Sequence, residues 1–246
     1  MYNFFVDSEN RKSDCYFISG DDFNHIKNVL RMSVGDTFLV SCNGSSDLCK
    51  ISSIEGDTVV AKIVEENYQN TNLPIKIHLF QGLPKSDKLE LIIQKAVELG
   101  AYSVTPVSMK RSIVKIDEKK KKNKIERWRS IAAAAAKQSK RNFVPQVCEI
   151  LSYKEMLNAA KNLDLLLVPY ECAEGMSATR QALKQIKNGM SIGILIGPEG
   201  GFEASEIDAV RDLGGKVISL GSRILRTETA AITAMSLCML YSEMEL

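Results

Sequence analysis

No two of the six cysteines (Cys15, Cys42, Cys49, Cys148, Cys172 and Cys238) form a C-x-x-C pair. The only two histidines, His25 and His78, stand near no cysteine. A zinc site needs soft ligands clustered at short spacing, so no metal is expected. Dispersed cysteines in a chain of 246 residues are expected to be reduced, without a disulfide framework. Long hydrophobic runs are also lacking. The longest uncharged apolar stretch, Thr229 to Ser242, has 14 residues, short of the ~20 that cross a bilayer. The segment Met1-Tyr2-Asn3-Phe4-Phe5 lacks the basic-then-apolar layout of a signal peptide. The expectation is a cytoplasmic protein without a membrane partner.

Apolar residues make up 45% of the chain and charged residues 25%, which excludes a disordered or collagen-like class. The length suits one large domain or two smaller ones. The net charge of +2 hides an asymmetry: residues 1–70 carry −5, residues 71–141 carry +11, and residues 142–246 carry −4. The positive stretch culminates in Lys119-Lys120-Lys121-Lys122-Asn123-Lys124 and continues through Arg127, Arg129, Lys137, Lys140 and Arg141. Dense Lys and Arg suit a polyanion, because neutralising phosphates releases condensed counterions. A solvated helix start has the same composition, and the lysines alone do not choose between the two.

Two rhythms follow one another. Through residue 70, short β-branched and aromatic runs alternate with Gly- and Asn-bearing turns such as Asn43-Gly44-Ser45 and Glu55-Gly56-Asp57. They predict a small β-barrel or meander, interrupted by a short helix from Asp21 or Asp22 to Leu30. The polar stretch Glu65–Asn72 reads as a linker. From residue 73 onward, strands alternate with helices. Leu89, Ile92, Ile93, Ala96 and Leu99 share one helical face, a long helix covers about Asn123–Lys140, and Ser152-Tyr153-Lys154-Glu155 fits a capping box. Three apolar strands, Asp164–Pro169, Ser191–Ile196 and Lys216–Leu220, each lead through a loop into a helix. This pattern predicts an α/β fold with a parallel sheet covered on both faces.

In such sheets ligands bind beyond the carboxyl ends of the strands, which directs attention to the three following loops. They read Val168-Pro169-Tyr170-Glu171, Ile196-Gly197-Pro198-Glu199-Gly200-Gly201-Phe202, and Leu220 through Ala230. The glycines of the second let a ligand approach bare backbone, or simply allow a tight strand-to-helix turn. Neither G-x-x-x-x-G-K-[ST] nor G-x-G-x-x-G is present, which argues against a Walker-type or dinucleotide site. In the third loop Arg223 and Arg226 crowd the helix start at Thr227-Glu228-Thr229. Two cations there oppose the helix dipole and point to an anionic partner.

The second and third loops together, Ile196–Phe202 and Leu220-Gly221-Ser222-Arg223-Ile224-Leu225-Arg226-Thr227-Glu228-Thr229-Ala230, carry a resemblance to a known family. They resemble the signature of the RsmE family, bacterial 16S rRNA (uracil-1498-N3) methyltransferases of the SPOUT superfamily. Further matches are Lys85-Ser86-Asp87-Lys88, Gln94 to Gly100, Glu126-Arg127-Trp128, Gln138-Ser139-Lys140-Arg141 and Pro145. His25-Ile26-Lys27-Asn28-Val29-Leu30-Arg31 with Gly35-Asp36 is similar to the family's N-terminal motif. The likeness runs over nearly the whole chain. Glu203 departs from it, standing where the family usually places a helix-capping Ser, which would weaken that cap.

The resemblance implies a PUA-like β-barrel for RNA recognition at 1–70 and a SPOUT methyltransferase domain at 73–246. The second domain would carry a parallel sheet and a C-terminal trefoil knot. It also implies a homodimer, a 16S rRNA or 30S subunit substrate, and S-adenosyl-L-methionine as methyl donor. Pro169, the stretch Leu195, Ile196, Gly197, Pro198, Glu199, Gly200 and Gly201, and the pairs Leu220–Gly221 and Ile224–Leu225 would hold the donor, with Arg226, Thr229 and Ala230 closing the pocket. Arg226 would position the uracil and meet developing charge; Glu228 would either accept a proton or cap its helix. Arg31, Lys110, Arg111, Lys137, Lys140 and Arg141 would contact RNA. His25 reads as a packed residue or an RNA contact, and Trp128 as core or a base-stacking ring. Two alternatives remain, a catalytically inactive ribosome-assembly factor and a SPOUT enzyme acting on another RNA.

Overall fold

The computed structural model describes residues 1–114, 118–173 and 175–246. The chain forms two compact units, one of residues 1–72 with 136–144, the other of residues 73–135 with 145–246.

The first unit is a curled six-stranded sheet. Its strands are β1 (Asn3–Phe5), β2 (Arg11–Lys12), β3 (Cys15–Ile18), β4 (Thr37–Cys42), β5 (Ser45–Glu55) and β6 (Thr58–Gln69). They run in the order β1-β4-β5-β6-β3-β2, antiparallel except where β1 meets β4. Period-2 alternation puts Phe4, Tyr16, Phe38, Val40, Ile51 and Val59 inside. Helix α1 (Gly20–Asn24) runs into a π-helical turn at His25–Val29, after which Arg31 takes φ +54°. Segment 136–144, which the sequence rhythm assigns to the second domain, belongs to this unit instead. The Asn142 side-chain amide donates to Ser46 Oγ (3.0 Å) and the Gln69 carbonyl (2.7 Å), and the Thr71 hydroxyl donates to Asn142 Oδ1 (2.7 Å). These bonds satisfy polar groups that burial would otherwise leave unpaired.

The second unit is built on a parallel sheet of seven strands. They are β7 (Lys76–Gly82), β8 (Ala101–Ser108), β9 (Gln146–Val147), β10 (Leu151–Ser152), β11 (Leu165–Pro169), β12 (Ser191–Ile196) and β13 (Lys216–Ile218). The order is β10-β8-β7-β12-β11-β13, with β9 on β8, so β12 lies between β7 and β11. The helices are α2 (Lys88–Glu98), α3 (Glu118–Gln138, whose last three residues belong to the first unit), α4 (Tyr153–Ala160), α5 (Ser177–Leu183), α6 (Ala204–Asp212) and α7 (Thr227–Glu245). Leu79, Ile194, Leu195 and Leu167 are fully or almost fully buried in the sheet, and α2 buries Leu89, Ile92, Ile93, Ala96 and Val97. Trp128 is core. Among the described residues, no helix is long and apolar enough to cross a membrane.

Helix α6 shows how the departure at Glu203 is accommodated. Glu206, 2% exposed, reaches back with Oε2 to the Glu203 N–H (2.9 Å) and with Oε1 to the Lys110 N–H (3.2 Å). One carboxylate thus anchors both the helix start and the loop after β8. Glu206→Ala strands two backbone donors and is expected to cost about 2–3 kcal/mol, or roughly 4–12 °C in melting temperature. Glu206→Gln, which keeps an acceptor, should recover part of the loss. Thermal denaturation decides the matter, and a Glu206→Ala melt matching wild type would refute the anchoring role.

Candidate active site

The loops after β11, β12 and β13 converge on one cavity of about 910 Å³, within the range of small-molecule sites. Gly197, Gly200, Gly201 and Gly221 supply bare backbone to its wall, beside Pro198 and Leu220. Close packing explains two of the glycines. A Cβ on Gly200 would lie 2.8 Å from Arg111 Cβ and 3.0 Å from the Arg111 carbonyl oxygen. On Gly82, at the end of β7, it would lie 2.7 Å from both the nitrogen and Cδ of Pro198. The loops are therefore seated against neighbouring backbone.

Three polar side chains tie the loops together. Buried Thr227, the first residue of α7, donates to the Gly197 carbonyl (2.7 Å) and accepts from Gln81 Nε2 (2.9 Å). Arg111 donates from Nε to Glu203 (2.6 Å) and from Nη1 to the Gly200 carbonyl (3.1 Å). That hydrogen bond also holds the Glu203 carboxyl below the usual carboxylate range. Lys88, at the start of α2, extends its ammonium to Glu199 Oε1 (3.0 Å) and Glu228 Oε2 (3.4 Å). Glu199 also accepts from the Lys85 N–H at 3.1 and 3.3 Å. Burial opposes ionisation of Glu199, but Lys88 and the backbone donors outweigh it and lower its pKa. The bond to Glu199 raises the pKa of Lys88 against the opposing effect of burial.

Every donor-binding residue expected from the sequence lines this cavity except Leu195, buried within β12, and Thr229, exposed on α7. Arg226 lines it, is exposed, and has no ion pair among the described residues. Glu228 does not cap its helix. It is not part of the lining, its Oε2 lies 3.4 Å from the Lys88 ammonium, and α7 has no side-chain cap. Its place beside Lys88 makes it a counterion to that ammonium.

The expected RNA contacts fall into three groups. Lys110 Nζ bonds Ser205 Oγ (3.0 Å), and Arg111 is bound to Glu203, so both are engaged within the second unit. In the first unit Lys137 pairs with Asp22 (2.6 Å), whereas Arg31 is exposed and Lys140 is half-buried. Arg141 is 3% exposed with its guanidinium over Phe143, and burial pushes its pKa down to about 10. It is an interior residue, which the sequence could not reveal because its neighbours are basic and polar. His25 is exposed, its ring meeting that of Phe4 edge-on at 6.1 Å. Lys88, Tyr170, Met176, Phe202, Arg223 and Thr227 also line the cavity. Lys88 had a signal, the Lys85–Lys88 motif, but nothing local brings α2 to loops more than a hundred residues away.

Comparison with known proteins is decisive here. Residues 71–239 match the model of an RNA methyltransferase domain, and residues 18–64 that of an RNA methyltransferase PUA domain. A Bacillus subtilis protein named ribosomal RNA small subunit methyltransferase E is 39% identical, across 96% of this chain and 95% of its own. The chain belongs to this family of RNA methyltransferases. A Mesomycoplasma hyopneumoniae protein of the same name is 34% identical, across 97% of this chain and 99% of its own. The same-named enzyme of Neisseria gonorrhoeae, solved bound to S-adenosyl methionine, superposes with a TM-score of 0.78 at 27% identity, covering 96% of each chain. Family membership makes the chain a methyltransferase acting on ribosomal RNA.

Proposed function

We propose that the chain transfers a methyl group from S-adenosyl-L-methionine to N3 of uracil 1498 in 16S rRNA of the small ribosomal subunit. The observation that carries this reading is one cavity walled by three loops, with Arg226, which has no ion pair among the described residues, in its lining. The bare backbone of Gly197, Gly200, Gly201 and Gly221 fits a nucleoside-bearing ligand, because it leaves room for close approach. When bound, S-adenosyl-L-methionine supplies a methyl group on a positively charged sulfur.

The chain's own residues have two tasks. N3 of uracil carries a proton and is a weak nucleophile until that proton leaves, so negative charge on the ring must be stabilised. Arg226 holds the uracil and meets that charge. The loops keep the acceptor nitrogen in line with the methyl group, converting an encounter between two molecules into a positioned reaction. As the N3–carbon bond forms, the carbon–sulfur bond breaks, the sulfur becomes a neutral thioether, and the N3 proton passes to solvent.

The reading extends to architecture. The match of residues 71–239 to an RNA methyltransferase family supports a C-terminal chain threaded into a trefoil knot. Leu240 and Met244, exposed near the end of the apolar helix α7, support a homodimer. Exposed Arg31 in the first unit supports RNA recognition there, and the enzyme works in the cytoplasm.

The test incubates purified protein with methyl-labelled S-adenosyl-L-methionine and 30S subunits lacking the modification, followed by nucleoside analysis of the 16S rRNA. Label in N3-methyluridine is expected. Label in another nucleoside would overturn the assigned base atom. Bound donor without labelled 16S rRNA would point to another RNA, and no binding to an assembly role.

A further inference from the structure

Lys88 occupies an electrostatically and conformationally costly place. As the first residue of α2 it puts an ammonium at the positive end of a helix dipole, where cations are disfavoured. The turn that delivers it passes through Ser86 in the left-handed region, φ +56°, which a residue other than glycine adopts under strain. Two carboxylates offset this: Glu199 at 3.0 Å and Glu228 at 3.4 Å. Glu199 is itself fixed by the Lys85 N–H, and Glu228 belongs to the first turn of α7, which Thr227 pins to Gly197. Three separate elements thus converge to hold one ammonium in the wall of the cavity.

An arrangement built for stability alone would not need a strained turn and a helix-end cation. An ammonium has three donors, and two face the carboxylates. The third is uncommitted among the described residues, and Lys88 lines the cavity. The elevated proton affinity of Lys88 keeps it charged at neutral pH, so it is a donor and not a base.

We propose that Lys88 is a catalytic residue of methyl transfer, donating a hydrogen bond to the uracil carbonyl oxygen beside N3 as negative charge develops there. This rests on the uracil N3 reading above. Glu199 and Glu228 are positioning residues that aim the ammonium. Loss of the N3 proton delocalises charge onto the adjacent carbonyl oxygens, and a preorganised donor at that oxygen lowers the barrier. No further reagent is needed, because the proton leaves to solvent as in the basal reaction.

The experiment measures single-turnover methylation by wild type, Lys88→Met and Lys88→Arg on 30S subunits carrying either uracil or 5-fluorouracil. Calorimetry gives the affinity for S-adenosyl-L-methionine alongside. Lys88→Met is expected to slow uracil methylation by about 10²–10³-fold, as for loss of one oxyanion donor. Its affinity for the methyl donor should change less than about threefold, because the lost interaction is made with the reacting base. Lys88→Arg should recover part of the rate. Fluorine makes the N3 proton more acidic, so the Lys88→Met deficit should shrink about tenfold or more on 5-fluorouracil. An equal deficit on both RNAs, or one explained by lost donor affinity, overturns the proposal. If wild type labels no N3-methyluridine, the underlying reading fails instead, whatever Lys88→Met does.

Discussion

Arg226→Ala is expected to lower the single-turnover rate of uracil methylation by about 10²-fold or more, with the melting temperature almost unchanged. The two effects separate because Arg226 contributes little to the fold. It stands at the N-cap of α7, exposed, without a side-chain cap bond and without an ion pair among the described residues. A cation at that end opposes the helix dipole, so its removal changes stability by only about 0.3–1 kcal/mol, in the favourable direction. Its contribution is instead to the cavity, where its guanidinium can meet charge that appears during the reaction. Arg226→Lys should restore only part of the rate, since an ammonium cannot form the planar two-point contact of a guanidinium. The measurement is a single-turnover rate beside a thermal melt. A rate within threefold of wild type, or a loss that tracks a falling melting temperature, would remove Arg226 from the mechanism.

Gly82→Ala should damage both stability and donor binding, although Gly82 itself contributes nothing to the cavity wall. Its Cβ would lie 2.7 Å from the Pro198 nitrogen and Cδ and 2.8 Å from Met109 Sδ. The sulfur can swing aside; the Pro198 nitrogen is backbone of the loop after β12 and cannot. Relief requires the end of β7 to part from that loop, which strains the bonds linking Gln81 to the Gly82 carbonyl (2.9 Å) and to Thr227. Overpacking of this kind costs about 1–3 kcal/mol, or roughly 2–12 °C in a domain of this size. Because Thr227 also holds the Gly197 carbonyl, the displacement reaches the ligand loop. Affinity for S-adenosyl-L-methionine is expected to fall about tenfold or more, a loss of roughly 1.4 kcal/mol. Calorimetric titration of the folded variant at low temperature isolates this effect. Unchanged affinity would show that the β7 contact is only structural.

What the chain's order of residues determines without any coordinates is local or strongly periodic. Alternating β-branched runs up to residue 70 announce a sheet, and the alternation of strands and helices after residue 73 announces a parallel one. The glycine loop at 197–201 and the crowded helix start at 226–230 carry the family's signature, and the whole loop together with Arg226, Thr227 and Ala230 lines the cavity. Tertiary structure alone decided the rest, because each remaining feature depends on pairing between distant segments. Insertion of β12 between β7 and β11 brings the start of α2, and Lys88 with it, to the loops. The same packing places the Glu228 carboxylate 3.4 Å from the Lys88 ammonium. Segment 136–144 ends a long helix with no change in composition to mark it, yet Asn142 bonds to Ser46 and Gln69, and Arg141 is buried. Periodicity reports which face of an element is apolar; it carries no information about which distant backbone groups will satisfy a polar side chain once that face is covered.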